Sequence, residues 1–362
     1  MKIYRLFLFG GLIFTDIIKH FTGIEFLSTI IILFILIDLF TNFSNFYVRE
    51  IYLIFTVILL TFISINVWDS TYTIYSYIGI IPVIWLLKTI PLIKIRKFLI
   101  LILICNFIIA FYEYFFQTYI YEALASRNGE EILLSYREIS GNVIRSKGIF
   151  AGPLSLANFA LGITLIFRKD KYIFILSLLI CLMCNARLGI LCLAFIYFLD
   201  YWKFNFKKIF SLFFIAYFLY LIAIYILDTS GLLRIINVFD VQSNNHTMRL
   251  YFMTSAVSLF SDYSLFEMLF GNSGALLAKV GNNAESGWLT LLVENGVIGL
   301  LFYLGFWIYA FLKSIRLKLD SELSSLIILF VIMVSQTYYL SVIGPFLFWV
   351  PILKNYIKPK QL

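Results

Sequence analysis

Charge is scarce in this sequence. Of its 362 residues only 13% are Asp, Glu, Lys or Arg, against 62% hydrophobic, and the mean hydropathy is +0.95. No water-soluble domain is built on that balance, so the composition excludes a soluble globular fold and points to an all-α polytopic membrane protein. Histidine is scarcer still, with two in the chain. Neither His20 nor His246 has neighbouring ligand residues, which argues against a metal centre. The four cysteines, Cys105, Cys181, Cys184 and Cys192, all fall within apolar runs and read as small hydrophobes, not as disulfide partners or metal ligands. No small-residue cleavage site follows the first apolar run, so that run is expected to remain as a first span. A net charge of +8 needs no nucleic-acid partner, because lysines beside anionic lipid headgroups account for it.

Long apolar runs dominate what is present. A span of about 20 residues gives candidates over 3–18, 22–40, 50–67, 71–88, 98–116, 151–167, 172–185, 188–202, 208–228, 287–311, 322–342 and 345–354, or about 11–12 transmembrane helices in one integral membrane domain over 1–362. Orientation follows from the basic residues. With both termini cytoplasmic, the inner segments hold 19 of the 28 Lys and Arg. Reading residues 172–202 as one long helix reverses every later loop and loses this bias, so the hairpin is preferred. Each arm of that hairpin has about 14 residues and reaches roughly 20 Å into a core of about 30 Å. Its tip, Asn185-Ala186-Arg187-Leu188-Gly189, is therefore expected below the outer surface. A guanidinium at that depth is costly unless it faces protein or a water-filled cavity, which makes Arg187 a functional candidate. The bland alternative is an Arg187 that snorkels to headgroups or pairs with Glu113.

Two polar segments interrupt the apolar pattern, 116–150 and 229–286, and both fall on the non-cytoplasmic side. In the first, apolar and charged residues around Tyr121–Ala125 and Glu130–Arg137 recur at helical spacing, broken by Asn128-Gly129, and predict two amphipathic helices at the membrane surface. Arg145 and Lys147 then precede Ala151-Gly152-Pro153, where a proline suits the first turn of the next helix. The pair serves either phosphate binding or interfacial anchoring. In the second segment, Asn245 or Thr247 is expected to cap a helix starting near Met248, with Arg249 in its first turn and His246 beside it. A cation there opposes the helix dipole, so an external anion would account for it. Gly- and Asn-rich stretches, Phe270–Gly274 and Gly281–Trp288, suit close approach to sugar hydroxyls, with Asn283 and Trp288 among the candidates. Glu285 stands at the start of the tenth span, and Glu294 lies about two turns deeper. Either is a potential acid or base, against capping for Glu285 and a structural bond to an arginine for Glu294. Most aromatics should face lipid or neighbouring helices, while Trp288, Tyr338 and Tyr339 could stack on sugars or line a polyprenyl groove.

The stretch Arg145-Ser-Lys147-Gly148-Ile-Phe150-Ala-Gly-Pro153, the turn Asn185-Ala-Arg187-Leu-Gly189, and Arg249 before Phe270-Gly271-Asn-Ser-Gly274 and Ala284-Glu285-Ser-Gly-Trp288 through Glu294-Asn-Gly296-Val-Ile-Gly299 carry a resemblance. In that order and between those spans, the chain resembles the O-antigen polymerase and ligase superfamily. The resemblance implies a GT-C-like architecture in a bacterial cytoplasmic membrane and a glycosyltransferase of lipopolysaccharide biosynthesis. Its substrate would be an undecaprenyl-pyrophosphate-linked oligosaccharide, its partners the membrane lipid and a polysaccharide chain-length regulator. It would take no cofactor, no metal and no nucleotide sugar. Arg187 and Arg249, with Arg145 and Lys147, would hold the pyrophosphate, and Glu285 would be the general base. His246, Asn283 and Trp288 would complete the glycan site. Ligases of the superfamily carry a histidine where this chain has Glu285, which favours a polymerase over a ligase-like transferase. A flippase of lipid-linked oligosaccharide is the competitor from another class; the prolines Pro82, Pro91, Pro153, Pro345 and Pro351 show none of the pairing expected of inverted repeats. An accessory subunit of polysaccharide export is the third reading.

Overall fold

In a computed structural model of the chain the described residues are 4–23, 27–42, 46–68, 74–121, 124–127, 130–133, 144–150, 152–201, 244–335 and 343–357. They are overwhelmingly helical, and the single membrane domain expected from the sequence divides into two compact units, Met1–Leu99 with Met248–Leu362, and Ile100–Thr247. The first unit contains α1 (Tyr4–Ile13), α2 (Thr15–Thr22), α3 (Leu27–Thr41), α4 (Val48–Trp68), α5 (Ile74–Ile78) and α6 (Ile80–Thr89). It also holds α11 (Asn244–Ser261, from Met248 onward), α12 (Leu265–Phe270), α13 (Ala275–Val280), α14 (Gly287–Arg316), α15 (Asp320–Ser335) and α16 (Ile343–Tyr356). The second unit contains α8 (Pro153–Ile166), α9 (Lys171–Met183), α10 (Arg187–Tyr201) and a two-stranded ribbon, β1 (Leu124–Arg127) with β2 (Glu130–Leu133). The unit boundary falls inside α7 (Leu92–Phe116), after Leu99.

Eleven of the twelve apolar runs coincide with helices, and the twelfth, 208–228, lies outside the described residues, as do 229–243 of the second polar segment and Tyr338 and Tyr339. Among the described residues, α7 with 25 residues and α14 with 30 are the two long and apolar enough to cross a membrane. One polar cluster in the core of the first unit is built around a carboxylate. Asp38 of α3 receives Arg5 Nε at 2.7 Å and Nη2 at 2.9 Å, Trp85 Nε1 at 2.7 Å, and the Tyr4 hydroxyl. A buried carboxylate is tolerated because donors from α1 and α6 surround it, and those donors fix where the three helices meet.

Three details differ from the sequence expectation. Leu124–Arg127 and Glu130–Leu133 form antiparallel strands in which Arg127 pairs with Glu130 and Leu124 with Leu133, not amphipathic helices. Asn-Gly between two short runs is a hairpin signal stronger than the helical spacing that competes with it. Helix α11 begins at Asn244, not near Met248, so Arg249 sits in its second turn, where the dipole argument for an anion no longer applies. Most consequential, α14 is not one rod. At Gly296 the backbone takes φ 68° and ψ −172°, which breaks the helix after nine residues. The remainder, Val297–Arg316, is about 30 Å long and reaches across a bilayer core unaided.

Short elements of the second polar segment are defined by local chemistry. Ser264 caps α12 by accepting from Glu267 N, while the Glu267 carboxylate accepts from Ser264 N at 2.9 Å and Ser264 Oγ at 2.8 Å, a complete capping box. These bonds hold the exposed Glu267 carboxyl below its ordinary range. Because its folded value is lowered, the contribution is present above the ordinary carboxyl range and disappears as pH falls through the lowered value. We expect Ser264→Ala to cost about 1 kcal/mol locally, read as faster amide exchange over 265–270 at neutral pH. Wild-type exchange there should converge on the variant only in strongly acidic buffer.

Candidate functional site

In the second unit the hairpin expected over 172–202 is present. Its arms have 13 and 15 residues, about 20 and 22 Å long. Asp170 opens α9 by accepting from Tyr172 N and Ile173 N, and a Schellman turn closes it: Asn185 at φ 48° lies in the left-handed region, Ala186 N donates to Cys181 O at 3.0 Å and Asn185 N to Leu182 O at 2.9 Å. Gly189 lets α10 approach α9 so closely that a Cβ there would lie 2.9 Å from Cys181 Sγ. Arg187 is the half-buried first residue of α10. The unfavourable cation at a helix N-terminus expected for Arg249 is thus found at Arg187 instead.

Residues 144–150 run against that tip as largely buried non-helical chain tied down by hydrogen bonds. Arg145 Nε donates to Cys184 O at 3.0 Å and Nη2 to Asn185 O at 3.5 Å, so the guanidinium caps the carbonyl end of α9. Ser146 N donates to Met183 O at 3.2 Å and Ser146 Oγ to Ala110 O at 2.7 Å. Glu113 Oε2 accepts the N–H groups of Lys147 at 2.8 Å and Gly148 at 2.9 Å. That carboxylate therefore anchors the returning chain where pairing with Arg187 was the sequence alternative. Lys147 is completely buried, with Nζ 3.3 Å from the centroid of the Tyr121 ring. Arg145 and Lys147 are thus engaged within the second unit, a use that the sequence alternatives of phosphate binding and interfacial anchoring did not include. Gly148 is required by φ 58° and by Asn106 Oδ1, which a Cβ would approach to 2.6 Å.

The first unit brings Arg249 and Glu285 together. Arg249 Nε lies 3.0 Å from Glu285 Oε2, with side chains 49% and 31% exposed. Glu285 does not cap α14. That position belongs to Ser286, and Glu285 occupies the left-handed region at φ 53°, held by its N–H on Asn283 Oδ1 at 2.8 Å and by Asn282 Nδ2 on its Oε1 at 3.3 Å. A glutamate in that conformation is a strained residue kept in place by its surroundings. Asn283 thus shapes the loop through its side chain. His246 falls in the first turn of α11, and its side chain lies outside the described residues. Trp288 is used in helix packing, its Nε1 donating to Phe330 O at 3.2 Å and its ring lying 5.0 Å from that of Phe330.

Glu294, set aside in the sequence as a partner for an arginine, binds backbone instead: its Oε2 accepts the N–H of Gly274. The turn around it depends on two glycines. A Cβ on Gly271 would lie 2.3 Å from the Glu294 carbonyl carbon, and one on Gly296 would lie 2.3 Å from Leu269 O. Tyr263 donates to Val293 O at 3.3 Å, and burial, reinforced by the carboxylates of Glu294 and Glu267, pushes its hydroxyl well above the ordinary range. No sequence signal announces this meeting, because Gly274 and Glu294 are 20 residues apart. Comparison with protein-family models and with curated protein sequences finds no match. The arrangement of side chains must therefore carry the functional reading.

Proposed function

We propose that the chain is a polysaccharide polymerase of the O-antigen type, a metal-independent glycosyltransferase that moves a growing glycan from undecaprenyl pyrophosphate to a new lipid-linked repeat unit. It works at the outer face of the cytoplasmic membrane, which it crosses about twelve times with both termini inside. The observation that supports this most directly is the Arg249–Glu285 pair. A guanidinium on α11 and a carboxylate on the glycine- and asparagine-rich loop before α14, both partly exposed, face each other in a chain otherwise poor in charge. An exposed pair of this kind is worth about 0–1 kcal/mol, so a doubly charged phosphate readily takes Arg249 from Glu285. The exchange frees the carboxylate when an anionic donor arrives. Glu285 then accepts the proton of the acceptor hydroxyl, that oxygen bonds to the anomeric carbon, and the bond from that carbon to the pyrophosphate oxygen breaks. Undecaprenyl pyrophosphate leaves with the electron pair, its charge met by guanidinium donors. Arg187, the half-buried first residue of α10, enters the proposal through its sequence motif alone.

A transporter of lipid-linked oligosaccharide is favoured by one observation, the broken helix α14, since interrupted helices are a transporter device. In this chain, however, the break is filled by the backbone of residues 269–272. The deciding experiment is glycan length in a strain lacking the protein, complemented with wild type, Arg187→Lys and Arg249→Lys. The polymerase reading expects single repeat units in the deletion and a ladder with wild type. Each lysine variant should lose roughly 10- to 150-fold in polymerisation, the worth of one charged hydrogen bond of about 1.5–3 kcal/mol. Repeat units trapped on the cytoplasmic side would establish transport instead.

A further inference from the structure

The buried carboxylate of Glu294 is joined to the loop that carries Glu285. From Gly271 the chain crosses the break in α14, with Asn272 N donating to Val293 O at 3.0 Å, and reaches Gly274, whose N–H is taken by Glu294 Oε2. It then forms α13 between two left-handed glycines, Gly274 at φ 84° and Gly281 at φ 70°, and passes through Asn282, Asn283 and Glu285 back to the start of α14 at Ser286. Leu276 of α13 and Ala284 pack with Ala256 of α11, Tyr263 and Val293 in one buried cluster. Ala256 lies two turns along α11 from Arg249, so this cluster also fixes the helix that presents the guanidinium. The loop over 271–286 is closed at its far end by covalent continuity with α14. At its near end it is held by the glycine crossing and by the carboxylate of Glu294.

We propose that Glu294 is a positioning residue: its carboxylate fixes residues 271–286 on the broken helix and so sets where Glu285 stands against Arg249. Its effect on glycan transfer rests on the polymerase reading; its effect on the loop does not. What the loop needs from Glu294 is an acceptor oxygen at the end of a two-methylene side chain. Glutamine supplies that oxygen without the charge, alanine supplies nothing, and aspartate falls one methylene short.

The test uses full-length protein in detergent, with amide hydrogen exchange over 271–286 compared with α15 (Asp320–Ser335) as an internal reference. Glu294→Ala should exchange at least tenfold faster over 271–286 with α15 unchanged, Glu294→Gln should match wild type, and the same variants should respectively lose and keep the glycan ladder. If Glu294→Ala does not accumulate, Glu294→Asp is measured in its place and should show the same faster exchange. Unchanged exchange in the Ala and Asp variants overturns the proposal. So does a Gln variant whose loop exchanges as fast as that of Glu294→Ala, because one acceptor oxygen for the Gly274 N–H would then not be enough to hold the loop. Exchange as expected in a protein that makes no ladder under any condition supports the role of Glu294 and overturns the polymerase reading alone.

Discussion

Glu285→Gln should slow glycan polymerisation by on the order of 10²–10⁴, the usual worth of a positioned general base, while leaving the protein folded. The two halves of this expectation have separate causes. Glutamine keeps a carbonyl oxygen for Asn282 Nδ2 and leaves the backbone N–H on Asn283 Oδ1, so the loop retains its shape. What is lost is the charge facing Arg249, in a pair exposed enough to contribute no more than about 1 kcal/mol to stability. Thermal unfolding in detergent should therefore move little as the ladder collapses. Glu285→Gly separates the effects further. It removes a side chain from a left-handed position, recovering about 1 kcal/mol of backbone strain, and should be as stable as wild type or more so, yet as inactive as the glutamine variant. A glutamine variant that makes a wild-type ladder would remove Glu285 from the chemistry and leave Arg249 with a purely structural partner.

The sequence is most legible where one physical effect dominates. A run of about 20 apolar residues has few alternatives to helix, since unpaired backbone groups have no partner in lipid. The short hairpin is legible for another reason: the distribution of Lys and Arg discriminates between one helix and two, and Asn185 suits the left-handed turn that ends α9. Legibility fails where two local signals compete, as in residues 124–133, where a helical repeat coexists with the hairpin preference of Asn-Gly. It fails again where a tertiary contact decides. Arg145 and Lys147 read equally well as phosphate ligands until the carbonyl end of α9 and the ring of Tyr121 are seen to occupy them. Gly296 is the clearest instance. In a thirty-residue apolar stretch it reads as one more tolerated glycine, and only the arrival of Gly271 from 25 residues earlier shows why the helix breaks there.

Gly296→Ala is accordingly expected to be among the most destabilising small substitutions in the first unit. Two penalties combine. At φ 68° with ψ near 180° the backbone occupies a region that only glycine enters freely, and an alanine there costs about 1–3 kcal/mol in strain. Its Cβ would also meet Leu269 O at 2.3 Å and Gly271 N at 2.4 Å, backbone atoms that cannot swing aside as a side chain could. Relief requires parting the chain at 269–272 from α14, with loss of the Asn272–Val293 bond and of the carboxylate's hold on Gly274. The sum should reach on the order of 4 kcal/mol or more, seen as a large fall in unfolding temperature and in the amount of protein recovered from membranes. Gly305, in the same helix, is the control. A Cβ there meets nothing within 4 Å, so Gly305→Ala should be neutral or gain about 0.5–1 kcal/mol. If the two variants melt together, α14 is continuous through Gly296, and the interlock that fixes the Glu285 loop does not exist.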